Sequence, residues 1–243
     1  ADNVTPLTLE LGGKSPYLVF PDADLAEAAQ AAASGIFYNT GQSCDACSRI
    51  LVHESIHDEF VEEFLEHTAD VWNPGDNLES GTTMGPLAFE DQYEKTVKYV
   101  DIGEKAGAEL VYGGSEPSAS RFEDGWYFVP TVFDDVETDM KIAQEEIFGP
   151  VQSIIAFSDY DEAVKLANDV EYGLASGVST EDLSLAHKVA ADIEAGSVWI
   201  NEYRGNSPGV PFGGYKNSGF GRECAQETIS DYQHTKAVTI GLN

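Results

Sequence analysis

The chain has 243 residues, with 43 Asp and Glu against 13 Lys and Arg, for a formal charge of −30. That length suits one sizeable domain with its own core, and 42% hydrophobic residues with 11% aromatics support folding. Phosphate-backbone binding needs clustered cations, and the few present form no run, which argues against nucleic acid and anionic membranes as partners.

Three cysteines, Cys44, Cys47 and Cys224, cannot build a disulfide framework and suit a reducing, cytoplasmic setting. No apolar run reaches the length of a membrane span. The acids are scattered and not blocked, a composition similar to that of salt-adapted, halophilic proteins, where high salt screens surface repulsion. The sequence starts at Ala1 with ADNVTPLTLELGGK, which reads as mid-domain sequence, so a fragment of a longer protein is expected.

Along the chain, Ser15 to Phe20 (SPYLVF) is an apolar run suited to a buried strand. Asp22 and Asp24 can cap the Ala-rich helix LAEAAQAAASGIF that follows. A Gly-bounded loop holding Cys44 leads to a strand at RILVH (Arg49 to His53). A helix from about Ser55 to Val71 comes next, with Ile56, Phe60, Phe64 and Val71 at helical spacing. Beyond a Pro/Gly loop lie a helix near Gln92 to Ala106 and strands in ELVYG and YFVPTVF. The second half continues with strand VQSIIAF, helix Asp161 to Asn168, strand GVS, helix Leu183 to Ile193 and strand SVWIN. This alternation predicts an α/β fold with a largely parallel sheet flanked by helices. A Gly-rich loop, a short helix after Arg222 and KAVTIGL (Lys236 to Leu242) follow, the last predicted as a strand added to another sheet.

Cys44, in FYNTGQSCDACSR, is a candidate nucleophile because a loop thiol among small neighbours can be reached and backbone amides can lower its pKa. The plainer reading is an inert buried cysteine. Cys44 and Cys47 have CxxC spacing, but no further ligands lie nearby to complete a zinc site, so no metal is expected. Oxidation could link these two thiols, although Cys47 as a small buried filler is the more ordinary reading. Glu10, in LTLELGGKSP, precedes Gly12 and Gly13, where backbone can approach a ligand closely, and so suits a mobile general base. Alone it reads by default as a surface carboxylate, in a chain with this many acids. The loops EEIFGP (Glu145 to Pro150) and PFGGYKNSGFGRE (Pro211 to Glu223) are, taken singly, structural turns.

Together, LELGGKSP, FYNTGQSCDACSR, DMKIAQEEIFGPV, WIN and PFGGYKNSGFGRE closely resemble the aldehyde dehydrogenase superfamily in order and spacing, and MGPL, YFVPTVF and KAVTI also match. The resemblance runs from Leu7 to Leu242. It implies that Cys44 is the nucleophile and Glu10 the general base. Glu146 is implied to hold the nicotinamide ribose, Phe148 to lie beside the nicotinamide, and Leu11 and Gly12 to sit close to that end of the cofactor, NAD or NADP. Asn201 and Phe212 match positions near the substrate pocket. Arg204 lies in a loop that borders the substrate entrance in the family. A guanidinium there could pair with a carboxylate-bearing aldehyde, against the plainer reading of a surface Arg neutralising Glu202.

The implied chemistry is aldehyde oxidation to the acid through a cysteine thiohemiacetal and thioester, hydrolysed with a glutamate base. Glu10 counts against the alternative of an acyl-transferring semialdehyde dehydrogenase, since such relatives generally lack it. A non-catalytic assembly module is the alternative from another class. Family members are about twice this length, and their N-terminal half supplies the dinucleotide-binding fold and an oxyanion Asn. Residues 1–235 are therefore expected to be the catalytic domain, inactive alone. Residues 236–243 are expected to be an oligomerisation strand of a homo-oligomer.

Overall fold

Alternation of short apolar strands and amphipathic helices runs through the computed structural model, which describes residues 4–119, 122, 124–205 and 207–242. The extreme ends of the expected 1–235 and 236–243 units thus lie outside the described residues. In chain order the first half forms β1 (Leu9–Glu10), β2 (Pro16–Val19), α1 (Leu25–Phe37), β3 (Arg49–His53), α2 (His57–Val71), α3 (Glu90–Ala106) and β4 (Glu109–Tyr112). The second half forms β5 (Thr131–Asp134), α4 (Lys141–Gln144), β6 (Val151–Phe157), α5 (Tyr160–Asn168), β7 (Tyr172–Gly173), β8 (Ala175–Ser179), α6 (Leu183–Asp192) and β9 (Ser197–Ile200). Two short strands, β10 (Tyr215–Lys216) and β11 (Gly219–Phe220), and helix α7 (Thr228–Asp231) follow.

Seven strands make one sheet in the order β4-β5-β6-β3-β2-β8-β9, parallel throughout except for the antiparallel edge pair β4–β5. Buried on both faces, the central strands are continuous apolar runs, as the parallel arrangement requires. Side chains alternate across the sheet. Tyr17 and Val19 of β2 join Ile50, Val52, the alanines of α1 and Phe60 and Phe64 of α2 on one face. Leu18 and Leu51 join Val100 of α3, Ile142 of α4, Ala163 of α5 and Val189 of α6 on the other. The result is three layers, helix on sheet on helix.

Asp24 caps α1, accepting from the Glu27 amide at 3.1 Å. Asp22 has a different task. Its carboxylate accepts from the Thr180 hydroxyl and the amides of Glu181 and Asp182, pinning the turn before α6 to the end of β2. Phe60 and Phe64 are buried as their spacing predicts, whereas Val71, at the helix end, is exposed. Residues 236–242 form no ladder among the described residues, and Val238, Ile240 and Leu242 are exposed at alternate positions. Among the described residues no helix is long and apolar enough to cross a membrane.

Candidate active site

The site is assembled where the loops after α1 and α4 meet the segment joining β1 to β2. After α1 the chain passes through Asn39, Thr40 and Gly41, all left-handed, with φ of 51°, 59° and 72°. Gly41 is required twice over: its φ favours glycine, and a Cβ there would strike the backbone of Gly149 in the EEIFGP loop. Gln42 and Thr40 fasten this turn to the MGPL segment, through Ala88 N–H to Gln42 Oε1 at 2.8 Å and Thr40 Oγ1 to Gly85 O at 2.9 Å. The chain then turns, with Ala46 N–H donating to Ser43 O at 3.1 Å, and presents Cys44 at the bend.

Cys44 is half-buried, Cys47 is buried and Cys224 is exposed. Burial and then the adjacent Asp45 carboxylate push the Cys44 thiol upward, with Glu10 acting in the same direction. Backbone N–H groups of Asp45 and Cys44 oppose this, as expected for a loop thiol, but do not prevail. Cys47 packs within the α1 face of the core, and its N–H donates to Gly35 O at 3.1 Å. Burial holds its thiol far above the ordinary range, so it is the buried filler and not a ready redox partner.

Three sequence-predicted segments converge on Gly12 and Gly13. A Cβ on Gly12 would collide with the Glu146 carboxylate, and one on Gly13 would lie 2.5 Å from the Cys44 carbonyl oxygen. Gly13 N–H donates to Glu146 Oε1 at 3.2 Å. The glycine pair is thus wedged between the Cys44 loop and Glu146. Burial raises the Glu146 carboxyl, and the Gly13 N–H, Lys95 and Lys14 oppose that rise. Phe148, two residues on, is half-buried and holds a φ of 62°, a conformation few non-glycine residues adopt.

Glu10 lies on β1, which pairs antiparallel with β11 of the Gly-rich loop, placing Glu10 opposite Gly219. Its Oε1 is buried without a hydrogen-bond partner among the described residues and faces Gly213. Burial, then Glu223, raise its pKa, and Arg222 moderates the effect. Leu11 is exposed, with its N–H donating to Ser218 O at 3.1 Å. Phe212 lies in a cleft of about 790 Å³, with Trp199, Pro208, Val210 and Cys224 among its lining.

Arg204 and Asn201 are placed differently from each other. The Arg204 guanidinium lies 3.4 Å from the Asp45 carboxylate, donates to Ser43 Oγ at 3.1 Å and sits 4.0 Å over the Tyr38 ring. Its ion pair is with Asp45 and not Glu202. Both amide atoms of Asn201 are taken by the Thr180 backbone at 3.0 Å.

Two residues that the motifs did not single out, Ser218 and Arg49, hold the site's segments together, and a third, Lys14, lies buried beside them. Ser218 donates to Gly12 O at 2.7 Å and accepts from Gly173 N–H at 3.0 Å. Arg49, fully buried, donates to the carbonyls of Lys14, Leu166 and Ala167 at 2.8–3.0 Å. Lys14, in the LELGGKSP stretch, is buried with Nζ unpartnered among the described residues. Their polarity within a buried segment was the only sequence signal.

The family model described as "Aldehyde dehydrogenase family" matches residues 1–238. The chain belongs to the aldehyde dehydrogenase family. Among relatives, betaine aldehyde dehydrogenase of Brucella anthropi is 45% identical over 241 residues, spanning 99% of this chain and 49% of that protein. Aldehyde dehydrogenase 1 of Tanacetum cinerariifolium is 46% identical over 242 residues, spanning 100% of this chain and 48% of that protein. Among solved structures, an indole-3-acetaldehyde dehydrogenase complexed with NAD+ superposes with a TM-score of 0.94 at 44% identity, covering 99% of this chain and 48% of that one. The betaine aldehyde dehydrogenase of Staphylococcus aureus in complex with NAD+ gives 0.92 at 40% identity, covering 95% and 46%. This family member spans about half the length of the relatives it matches.

Proposed function

We propose that this chain is the catalytic half of an NAD(P)-dependent aldehyde dehydrogenase that converts an aldehyde to its acid. The observation that carries the reading is the glycine pair Gly12–Gly13, packed between the Cys44 backbone and the Glu146 carboxylate with Glu10 two residues before it. Cys44 as thiolate adds to the aldehyde carbon to give a thiohemiacetal, and its own N–H is one donor for the oxyanion. After oxidation the acyl group remains on Cys44 as a thioester. Glu10, raised by burial and Glu223, is a stronger base than an ordinary carboxylate and takes the proton of the water that releases the acid.

The residues present fit the nicotinamide end of a dinucleotide: the space a Cβ would fill beside Gly12 is taken by the Glu146 carboxylate, an acceptor suited to ribose hydroxyls. Glu146, Phe148, Leu11 and Gly12 would hold that end, where the bound cofactor supplies the hydride acceptor. The remaining dinucleotide contacts would come from a half outside this chain. Residues 236–243, with alternate apolar side chains exposed, suit a strand that pairs with another subunit of a homo-oligomer. The acidic surface and free thiols suit a salt-rich cytoplasm.

The test joins this chain to the dinucleotide-binding half of the Brucella anthropi relative and follows reduced cofactor. Cys44→Ser should abolish turnover, while Glu10→Gln should permit one burst of reduced cofactor and then stall with the acyl group on Cys44. Steady turnover by Glu10→Gln would remove Glu10 from the hydrolytic step.

A further inference from the structure

We propose that Arg204 is a positioning residue for the nucleophile: by gripping Asp45 and Ser43, the residues on either side of Cys44, it ties the loop after β9 to the reactive turn. The inference deepens the functional reading above and rests on Cys44 being the reactive thiol.

The geometry carries it. Asp45 is 3% exposed, and burying a carboxylate is costly unless it is paired and hydrogen-bonded. It is both: the Arg204 guanidinium lies at 3.4 Å and the Ser43 hydroxyl donates to Asp45 Oδ1 at 2.6 Å. Arg204 also donates to Ser43 Oγ, so guanidinium, hydroxyl and carboxylate close a ring around the residues flanking Cys44. The Tyr38 ring covers the guanidinium from the segment entering the turn. From the same loop as Arg204, Tyr203 adds a second tie, its buried hydroxyl donating to Asp45 O at 2.8 Å. Held by three residues of the 38–45 segment through Nη2 and its planar face, the guanidinium keeps Nη1 buried without a hydrogen-bond partner among the described residues.

The electrostatic consequence has a definite sign. The charged groups acting on the Cys44 thiol are Asp45 and Glu10, both anionic and both disfavouring the thiolate. Arg204 is the cation paired with the stronger of the two. Without it the Asp45 charge acts on Cys44 uncompensated, and the thiolate becomes harder to form. The same pair makes the substrate loop and the nucleophile turn one unit, so movement of either is felt by the other.

Residue-resolved mass spectrometry of iodoacetamide labelling, followed against pH on the 243-residue chain, tests this. Arg204→Ala should move the Cys44 midpoint upward by about one pH unit, slowing labelling at neutral pH roughly tenfold. Arg204→Lys, which keeps a charge, should restore much of the shift. Asp45→Asn should lower the midpoint, and adding Arg204→Ala to it should have far less effect than in the parent. That dependence is what a merely structural role would not give. The shifts should persist in molar salt, because the pair is largely shielded from solvent. A midpoint unmoved in Arg204→Ala, or moved equally with and without Asp45, overturns the proposal. If Arg204→Ala does not fold, Asp45→Asn and Arg204→Lys decide it, since an unchanged midpoint in Asp45→Asn overturns it equally. Cys44 labelling no faster than Cys224 at any pH would instead sink the reading of Cys44 as the nucleophile.

Discussion

Lys14 ties the site to the stability of the fold. Its ammonium is fully buried without a partner among the described residues, and burial, then the neighbouring Arg49, bring its pKa down to about 7 against Glu146 pulling the other way. An unfolded lysine keeps its proton up to the ordinary value of 10.5. Between those values the unfolded chain holds a proton that the folded chain has released, so this residue makes stability rise with pH from about 7 to about 10. At about 1.4 kcal/mol per unit the swing is roughly 4–5 kcal/mol. Glu10 and Glu146 are raised and act in the opposite sense: their folded forms keep protons that the unfolded chain has lost, costing stability as pH rises from the ordinary carboxylate value to their own raised ones. Comparison with Lys14→Met isolates the lysine. Urea denaturation should find Lys14→Met more stable than the parent at pH 7, with the difference shrinking as the pH approaches 10. A difference constant across that range would mean that Lys14 does not titrate there.

At the scale of elements, Arg49 joins β3 to the C-terminal end of α5 and to the strand-entry segment carrying Lys14. Its guanidinium meets the last carbonyls of α5, where a cation is favoured by the helix dipole. Arg49→Met removes these charge-assisted bonds and leaves buried carbonyls unpaired, at an expected cost of about 3–5 kcal/mol. Urea denaturation measures it, and a loss under about 1 kcal/mol would contradict the assignment. Arg49→Lys should recover only part, because an ammonium cannot span three divergent carbonyls. No motif made this role visible, since two of the three carbonyls come from residues more than a hundred positions away. Local signals were legible by contrast. Alanine content and the Asp24 cap located α1 to the residue, and apolar runs located the central strands. Helix α4, four residues long, is too short to have a period, and the β1–β11 ladder depends on a partner about 210 residues distant. KAVTI has a strand pattern but no ladder here, since strand pattern alone does not supply a partner. The convergence of the Cys44, Glu10 and Glu146 segments was legible because their motifs occur together, whereas the tie of Asn201 to the Thr180 backbone had no local signal.

For the whole molecule, a charge of −30 on 243 residues sets the conditions under which the fold is strong. Self-repulsion opposes the compact state, and molar salt, with a Debye length of about 3 Å, removes most of it. The melting temperature of the isolated chain should therefore climb with salt; a salt-independent value would argue against an adapted surface. Folded in that salt, the isolated chain should form no reduced cofactor from aldehydes, because in the proposed function Glu146 and Phe148 address only one end of a dinucleotide and near-attack geometry needs the whole held to about 3–3.5 Å. The nucleophile and base can still be observed without any cofactor, because an activated ester such as p-nitrophenyl acetate acylates a reactive thiolate directly. Intact and peptide mass spectrometry of the ester-treated chain, parent against Glu10→Gln, is the most direct measurement. The account predicts slow continuous nitrophenolate release by the parent and accumulation of one acetyl group on Cys44 in Glu10→Gln. Acetyl found only on the exposed Cys224, or equal acetyl-Cys44 in both proteins, would contradict it.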